Sequence, residues 1–313
     1  MKVNDLQTAK PFVKPSLRKR IKKNRVYYSM IAPFMLVFTV FTILPVLMSF
    51  LLSFTSFDML QAPKVIWLSN YINLFLNDDV FLIALKNTLI LAFITGPISY
   101  LMAFVFAWLI NELPPKIRWF MVLIFYAPSI SGSAYLLWLL IFSSDMYGIL
   151  NAYLIDLNLI NTPILWLETP KYALFILIIV QLWLSLGVSF LAFIAGLQTV
   201  DRTLYEAAAV DGIRNRWQEL WYITLPQMKS QLMFGAVMQI TNALGIGMVS
   251  VSLLGFPSVE YSGHTIVTHL LDFGSANSTR LEMGYASAIA TVLFVLMLGS
   301  NLLVQKIIKR VGT

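Results

Sequence analysis

Amides and hydroxyls inside long apolar stretches are the side chains of this sequence that could do chemistry. They lie in two stretches. Gln239, Asn242 and Ser250 are in one, and Gln181 and Ser185, with the aromatic Trp183 between them, are in the other. Groups of this kind beside an aromatic face can hydrogen-bond the hydroxyls of an uncharged, sugar-like solute. Polar residues also serve as contacts between apolar helices, and that explanation stays open at this point.

Catalytic and metal-binding chemistry has no candidate in the sequence. The chain contains no cysteine, which excludes disulfides and thiolate metal sites. No paired carboxylates and no serine–histidine–acid arrangement indicate a membrane enzyme. His264 and His269 lack further ligands at metal-binding spacing, so we expect both to be surface histidines. We therefore expect no catalytic residue, no metal and no cofactor.

The elements that must position these residues follow from composition. Hydrophobic residues make up 58% of the 313 residues and charged residues 12%, whereas soluble domains have about 45–50% and about 25%. Each of six stretches free of Asp, Glu, Lys and Arg exceeds the roughly 20 residues that span a membrane as a helix. We predict an all-α, polytopic membrane protein with six transmembrane helices. The stretches are 26–57, 87–111, 119–144, 172–200, 230–259 and 283–305.

Basic residues predict the orientation of these spans. If the N-terminus is cytoplasmic, 18 of the 22 Lys and Arg residues lie inside, as the positive-inside rule requires. We predict a basic cytoplasmic arm at 1–25, a six-span domain at 26–306 and a cytoplasmic tail at 307–313, with both termini cytoplasmic. The arm directly precedes an apolar run, so we interpret it as an anchor at the lipid bilayer and expect no nucleic acid as a partner.

A long cytoplasmic loop at 198–229 joins predicted spans four and five. Thr203 and Glu206 have the spacing of a capping box, which predicts a short helix beginning at Leu204. Gly212 can adopt the positive φ that ends such a helix.

A second short amphipathic helix is predicted over residues 216–222, and Pro226 fits the first turn of the fifth span. The residue pattern leaves two explanations for the whole loop. It either meets a partner beneath the membrane or packs on the lipid surface.

Residues of this loop resemble a known motif. Glu206-Ala207-Ala208, then Gly212, then Ile223-Thr224-Leu225-Pro226 resemble the EAA loop of permeases in binding-protein-dependent ATP-binding-cassette importers. The surrounding residues look like the carbohydrate-uptake branch and are similar to the membrane subunits of maltose transporters. Ten residues separate Gly212 from Ile223, one more than in the common pattern.

The resemblance implies the permease subunit of an ATP-driven importer for a sugar or oligosaccharide in a prokaryotic cell membrane. It implies three protein partners, namely ATP-binding-cassette ATPase subunits, a second homologous permease and an external solute-binding protein. The sequence has no G-x-x-x-x-G-K-[ST] phosphate loop, so ATP hydrolysis would belong to a partner. The implied ATPase-coupling residues are Glu206, Ala207, Ala208, Asp211 and Gly212.

A secondary carrier or channel for a small neutral solute is the alternative. Ion-coupled carriers usually place ionisable side chains within their spans. The middle of each predicted span contains no Asp, Glu, Lys or Arg. This pattern disfavours the alternative and indicates energy supplied from outside the membrane.

Overall fold

The computed structural model describes residues 22–275 and 281–311. Within these ranges the regular elements are helices, apart from one isolated bridge between Thr55 and Val65, and the all-α prediction is confirmed. Most of the basic arm and the last residues of the tail lie outside the described residues. The helices are α1 Arg25–Leu52, α2 Ser69–Leu76, α3 Asp79–Asn111, α4 Pro115–Ile130, α5 Leu136–Ile141, α6 Ile149–Asp156, α7 Pro170–Leu184, α8 Val188–Thr199, α9 Arg202–Val210, α10 at 216–227, α11 Lys229–Leu244, α12 Met248–Leu254, α13 Ile266–Gly274 and α14 Met283–Val311.

Five of the predicted spans correspond to helices of sufficient length and apolar character. They are α1, α3, the pair α7–α8, the pair α11–α12 (bent by 42°) and α14. The third predicted span coincides with α4 and α5, which have 16 and 6 residues and are separated by residues 131–135. Neither piece alone is long enough to cross a membrane, so the six-span count stays a prediction.

The chain divides into two units, the first ending at Leu51 and the second beginning at Leu52. The first holds α1, whose π-helical turn at Thr39–Ile43 precedes Pro45. In the second, α3 is the central helix and packs against α7, α8, α11 and α13. The last helix, α14, packs on α11 and α13.

An aromatic cluster joins α3, α8 and α11. The ring of Phe193 lies edge-on to Tyr100 and Phe104 of α3, with centroids 5.5 and 5.7 Å away. On its other side Phe193 lies where a side chain of Gly235 would stand, so only glycine lets α11 come this close. Size rather than polarity is thus required at position 235.

Two spans are broken near their middle. Residues 185–187, Ser-Leu-Gly, separate α7 from α8, and residues 245–247, Gly-Ile-Gly, separate α11 from α12. Glycine weakens a helix by about 1 kcal/mol relative to alanine. A break also frees backbone carbonyls, which need new partners at membrane depth.

Side chains supply those partners. The amide of Gln239 donates to the carbonyl of Ser185 at 3.1 Å and to the hydroxyl of Ser189 at 2.6 Å. The hydroxyl of Thr265 donates to the carbonyl of Ile246 at 2.7 Å. Each break is therefore held by a hydrogen bond from another part of the chain.

Candidate functional site

The first helix of the loop at 198–229, α9, begins two residues earlier than the capping-box pattern predicts. It starts at Arg202, and the carboxylate of Asp201 accepts a hydrogen bond from the backbone N–H of Thr203 at 3.0 Å. Hydrogen bonds from Thr203 hold the pKa of Asp201 below its usual value. The predicted start at Leu204 is wrong because the aspartate provides the cap in place of the Thr203 hydroxyl.

Gly212 ends α9 in the predicted way. Its φ is +95°, and its N–H donates to the carbonyl of Ala209 at 3.4 Å. The N–H of Ile213 donates to the carbonyl of Ala208 at 3.0 Å. These two bonds form a Schellman motif, which requires a residue in the left-handed region. The positive φ expected at Gly212 is confirmed.

The second helix, α10, contains a π-helical turn at Leu220–Thr224. Its start is capped by Asn215, whose side chain accepts from the N–H of Gln218 at 2.8 Å. A π turn accommodates one residue more than an α-helical turn. This turn overlaps the stretch between Gly212 and Ile223, which is one residue longer than in the common pattern.

Most of the residues that the resemblance implies for ATPase coupling lie on an exposed face of α9. Glu206, Ala207, Asp211 and Gly212 are exposed, and Ala208 is buried on the opposite side. Small side chains beside two carboxylates allow a partner surface to approach closely.

The other half of the loop is fastened to the C-terminal end of α3. The guanidinium of Arg216 lies 3.1 Å from the Glu112 carboxylate and 2.9 Å from that of Glu219. The hydrogen bond with Glu219 and the charge of Glu112 raise the pKa of Arg216. The ring of Trp217 lies 5.2 Å from that of Trp108. A cavity of about 630 Å³ lies between these groups and α9.

The three polar candidates on the fifth span have different surroundings. Gln239 is 2% exposed and bonded at the α7–α8 break, while Asn242 is exposed. Ser250 is buried beyond the 245–247 break, and its hydroxyl donates to the carbonyl of Gly263. The 42° bend at this break gives the helix that carries Ser250 a different axis from the helix that carries Gln239 and Asn242.

The fourth-span candidates lie at or just before the first break. Gln181 and Ser185 are buried, and the Ser185 hydroxyl donates to the carbonyl of Leu182 at 2.7 Å. Trp183 is half-buried, edge-on to Trp138 with ring centroids 5.7 Å apart. The indole N–H of Trp138 is buried and has no hydrogen-bond partner among the described residues.

Comparison with known proteins identifies the family. Residues 88–313 match the family described as the binding-protein-dependent transport system inner membrane component. The chain belongs to this family. The matched residues begin inside α3 and include both helices of the α9–α10 loop.

Relatives and solved structures agree with this assignment. The lactose transport system permease protein LacF of Rhizobium radiobacter is 34% identical over 220 residues, covering 69% of this chain and 70% of LacF. The arabinooligosaccharides transport system permease protein AraP of Bacillus subtilis is 30% identical over 287 residues, covering 91% and 89%. A bacterial alginate ABC transporter, solved with an alginate pentasaccharide-bound periplasmic protein, superposes with a TM-score of 0.73 at 25% identity, covering 94% of this chain and 98% of that one.

A buried network at the N-terminal end of α3 contains two histidines that were expected on the surface. His264 and His269 are 2% and 1% exposed, so that expectation is wrong. Their rings meet at 3.3 Å, and Nε2 of His269 lies 3.0 Å from the carboxylate of Asp78. The hydroxyl of Tyr285 donates to the same carboxylate at 2.7 Å. No local signal indicates this, because Asp78 and His269 are 191 residues apart.

Burial and hydrogen bonding shift the pKa values of this network. Burial, together with the neighbouring His269, lowers the pKa of His264 to about 4. Burial alone would raise the pKa of Asp78, but hydrogen bonds from His269, the N–H of Phe81 and Tyr285 outweigh it and lower that pKa to about 2. Asp78 is thus ionised at neutral pH, where it also caps α3.

Proposed function

We propose that the chain is the permease subunit of an ATP-driven importer for a sugar or oligosaccharide. The observation that carries this proposal is the α9–α10 loop, with its open alanine face, its Schellman turn at Gly212 and its attachment to α3. The relatives support the solute class, since they include permeases named for lactose and arabinooligosaccharides. The alginate transporter, which resembles the whole chain, was solved with a saccharide-bound periplasmic protein.

The open face of α9 is the surface for the ATPase subunit. Ala207 and its neighbours permit close approach, and the carboxylates of Glu206 and Asp211 pair with basic groups of that partner. Gly212 provides the bend that presents the helix. Closure of the ATPase subunits then moves α9, and the movement reaches the spans through the loop.

The solute passes along the side of α11 that bears Asn242. This amide is exposed, whereas Gln239 behind it is bonded to the broken α7–α8 span, together with Ser185. Trp183 borders the path, and Gln181 and Ser250 shape it from buried positions. The predicted spans contain no fixed charge in their middle, so hydrogen bonding rather than charge pairing selects the solute, and we propose a neutral saccharide.

Both termini face the cytoplasm of a prokaryotic cell, and the α9–α10 loop lies on the same side. The support is the distribution of 18 of 22 basic residues to that side. The protein works with ATPase subunits, a second permease and an external solute-binding protein.

Uptake by the complete complex tests this function. The chain is reconstituted in vesicles with its ATPase, its partner permease and its external receptor, and labelled mono- and oligosaccharides are supplied beside labelled amino acids. We expect ATP-dependent accumulation of at least one neutral saccharide and none of the amino acids. Accumulation of an amino acid with no saccharide transported would refute the solute class.

A further inference from the structure

Helix α9 has a narrow contact with the rest of the chain. Of its nine residues, only Tyr205 and Ala208 are not exposed. The hydroxyl of Tyr205 lies 2.9 Å from that of Thr224, which is 2% exposed and lies in the π turn of α10. This hydrogen bond therefore joins the open helix to a buried point on the next one.

Helix α10 is in turn packed on the membrane helices. Leu220 lies in the same buried cluster as Ala107 and Ile110 of α3, and the Trp217–Trp108 contact lies beside it. A displacement of α10 therefore moves the inner end of α3, because closely packed side chains transmit strain.

Two polar contacts lie on the route from α9 to α3, one joining α9 to α10 and one joining α10 to α3, and their burial distinguishes them. The Arg216–Glu112 ion pair is open to solvent, with side chains 64% and 44% exposed. Exposed pairs of this kind hold their partners weakly. The Tyr205–Thr224 bond ends on a buried hydroxyl, which also donates to the carbonyl of Glu219 at 3.3 Å. A hydrogen bond shielded from water is electrostatically stronger than an exposed one. The tyrosine contact is the stiffer of the two.

We propose that Tyr205 is a positioning residue that transmits movement of α9 to α10 and so to α3. The inference rests on the proposed function, in which a partner ATPase moves α9. Without the Tyr205 hydroxyl, α9 can tilt about the turn at Gly212 while α10 stays in place. The ATPase then hydrolyses ATP without a matching movement of the spans.

The test measures solute transported per ATP hydrolysed by the complete complex in vesicles. Tyr205→Phe removes the hydroxyl and keeps the ring, and we expect the ratio to fall about three- to tenfold, as for one lost hydrogen bond. Thr224→Ser keeps a hydroxyl and should remain near wild type, while Thr224→Val should lower the ratio. The double variant Tyr205→Phe, Thr224→Val should be no worse than the lower single variant, because Thr224→Val already removes the contact that Tyr205→Phe removes.

Tyr222→Phe is the matched control, since Tyr222 is 71% exposed on α10 and loses the same hydroxyl. Its transport-to-hydrolysis ratio should equal that of wild type. An unchanged ratio in Tyr205→Phe would overturn the proposal. A second outcome would also overturn it, namely a Tyr205→Phe variant that loses uptake and hydrolysis equally and melts at a lower temperature. That result would mean that Tyr205 only stabilises the fold. If the wild-type complex hydrolyses ATP but transports no saccharide, the proposed function fails instead, and the positioning role falls with it.

Discussion

Gln239 and Asn242 are three residues apart on α11, yet their side chains have different surroundings. Gln239 is 2% exposed and donates to the carbonyl of Ser185 and the hydroxyl of Ser189. Asn242 is exposed. The two amides, which spacing alone assigns to one role, can therefore be separated by experiment.

Gln239→Leu should lower stability by about 1–3 kcal/mol, because it removes two hydrogen bonds at a helix break and leaves the buried Ser189 hydroxyl without its amide donor. Asn242→Leu, its matched variant, should leave the melting temperature in detergent unchanged. If Asn242 contacts the solute, its loss should reduce uptake roughly five- to a hundredfold, the equivalent of about 1–3 kcal/mol. Equal melting temperatures for wild type and Gln239→Leu would contradict the bracing role.

Gly212 is the loop residue whose backbone most restricts substitution. Gly212→Val places a β-branched residue at φ +95°, which L-residues rarely adopt. We expect lower transport per ATP or weaker association with the ATPase, with normal membrane insertion. Gly299→Val is the control, because that glycine has open space around it and no positive φ. Similar behaviour of both variants would show that the Schellman turn has no role in coupling.

At the scale of elements, apolar runs predict where helices lie but not where they break. Residues 185–187 and 245–247 belong to uninterrupted apolar stretches. Hydropathy averaged over a window does not distinguish the glycines that break the helix there. The breaks depend on Gln239 and Thr265, which bond the freed carbonyls from elsewhere in the chain. The Gly212 turn was predictable because a Schellman motif is local.

Helix caps are also set by neighbouring residues, whereas buried polar groups also depend on residues far away in sequence. Asp201 and Thr203 both have side-chain oxygens suited to capping α9, and both lie beside its first turn. Which residue is the cap depends on which oxygen reaches the free N–H groups. Burial of His264 and His269 depends on Asp78, far away in sequence, and no local pattern could place it.

The histidine network predicts a pH dependence of stability. The pKa of His264 is about 4 in the folded protein and 6.5 in its ordinary state. The unfolded chain therefore takes up the proton first as pH falls. The stability that the folded protein gains from an uncharged His264 is complete above pH 6.5 and is lost as the pH falls from 6.5 to about 4. The loss is on the order of 3 kcal/mol. Asp78, with a pKa lowered from 3.8 to about 2, loses its contribution only below that window.

Melting temperatures in detergent across pH 4–7 check this dependence. Wild type should melt at lower temperature as pH falls below 6.5. His264→Gln removes the titrating ring and should melt at nearly the same temperature throughout the window. A wild-type curve that is flat from pH 7 to pH 4 would contradict the buried, uncharged state of His264.

For the whole molecule, the distribution of charge predicts a topology that cysteine labelling can test. The chain has no cysteine, so single cysteines can be introduced at exposed positions. An impermeant thiol reagent should label Ser69→Cys and Asn161→Cys on intact cells, and Gln227→Cys only after the membrane is opened. Strong labelling at Gln227 on intact cells would reverse the orientation and place the α9–α10 loop outside.

The energy source of uptake distinguishes an ATP-driven importer from a secondary carrier. Vesicles containing the complete complex are given labelled saccharide and the external receptor, with either ATP inside the compartment that α9 faces or an imposed proton or sodium gradient. We expect accumulation with ATP alone, abolished when the ATPase subunits are omitted, and no accumulation driven by either gradient. Accumulation driven by an ion gradient, without ATP or the ATPase subunits, would show a secondary carrier and contradict the account.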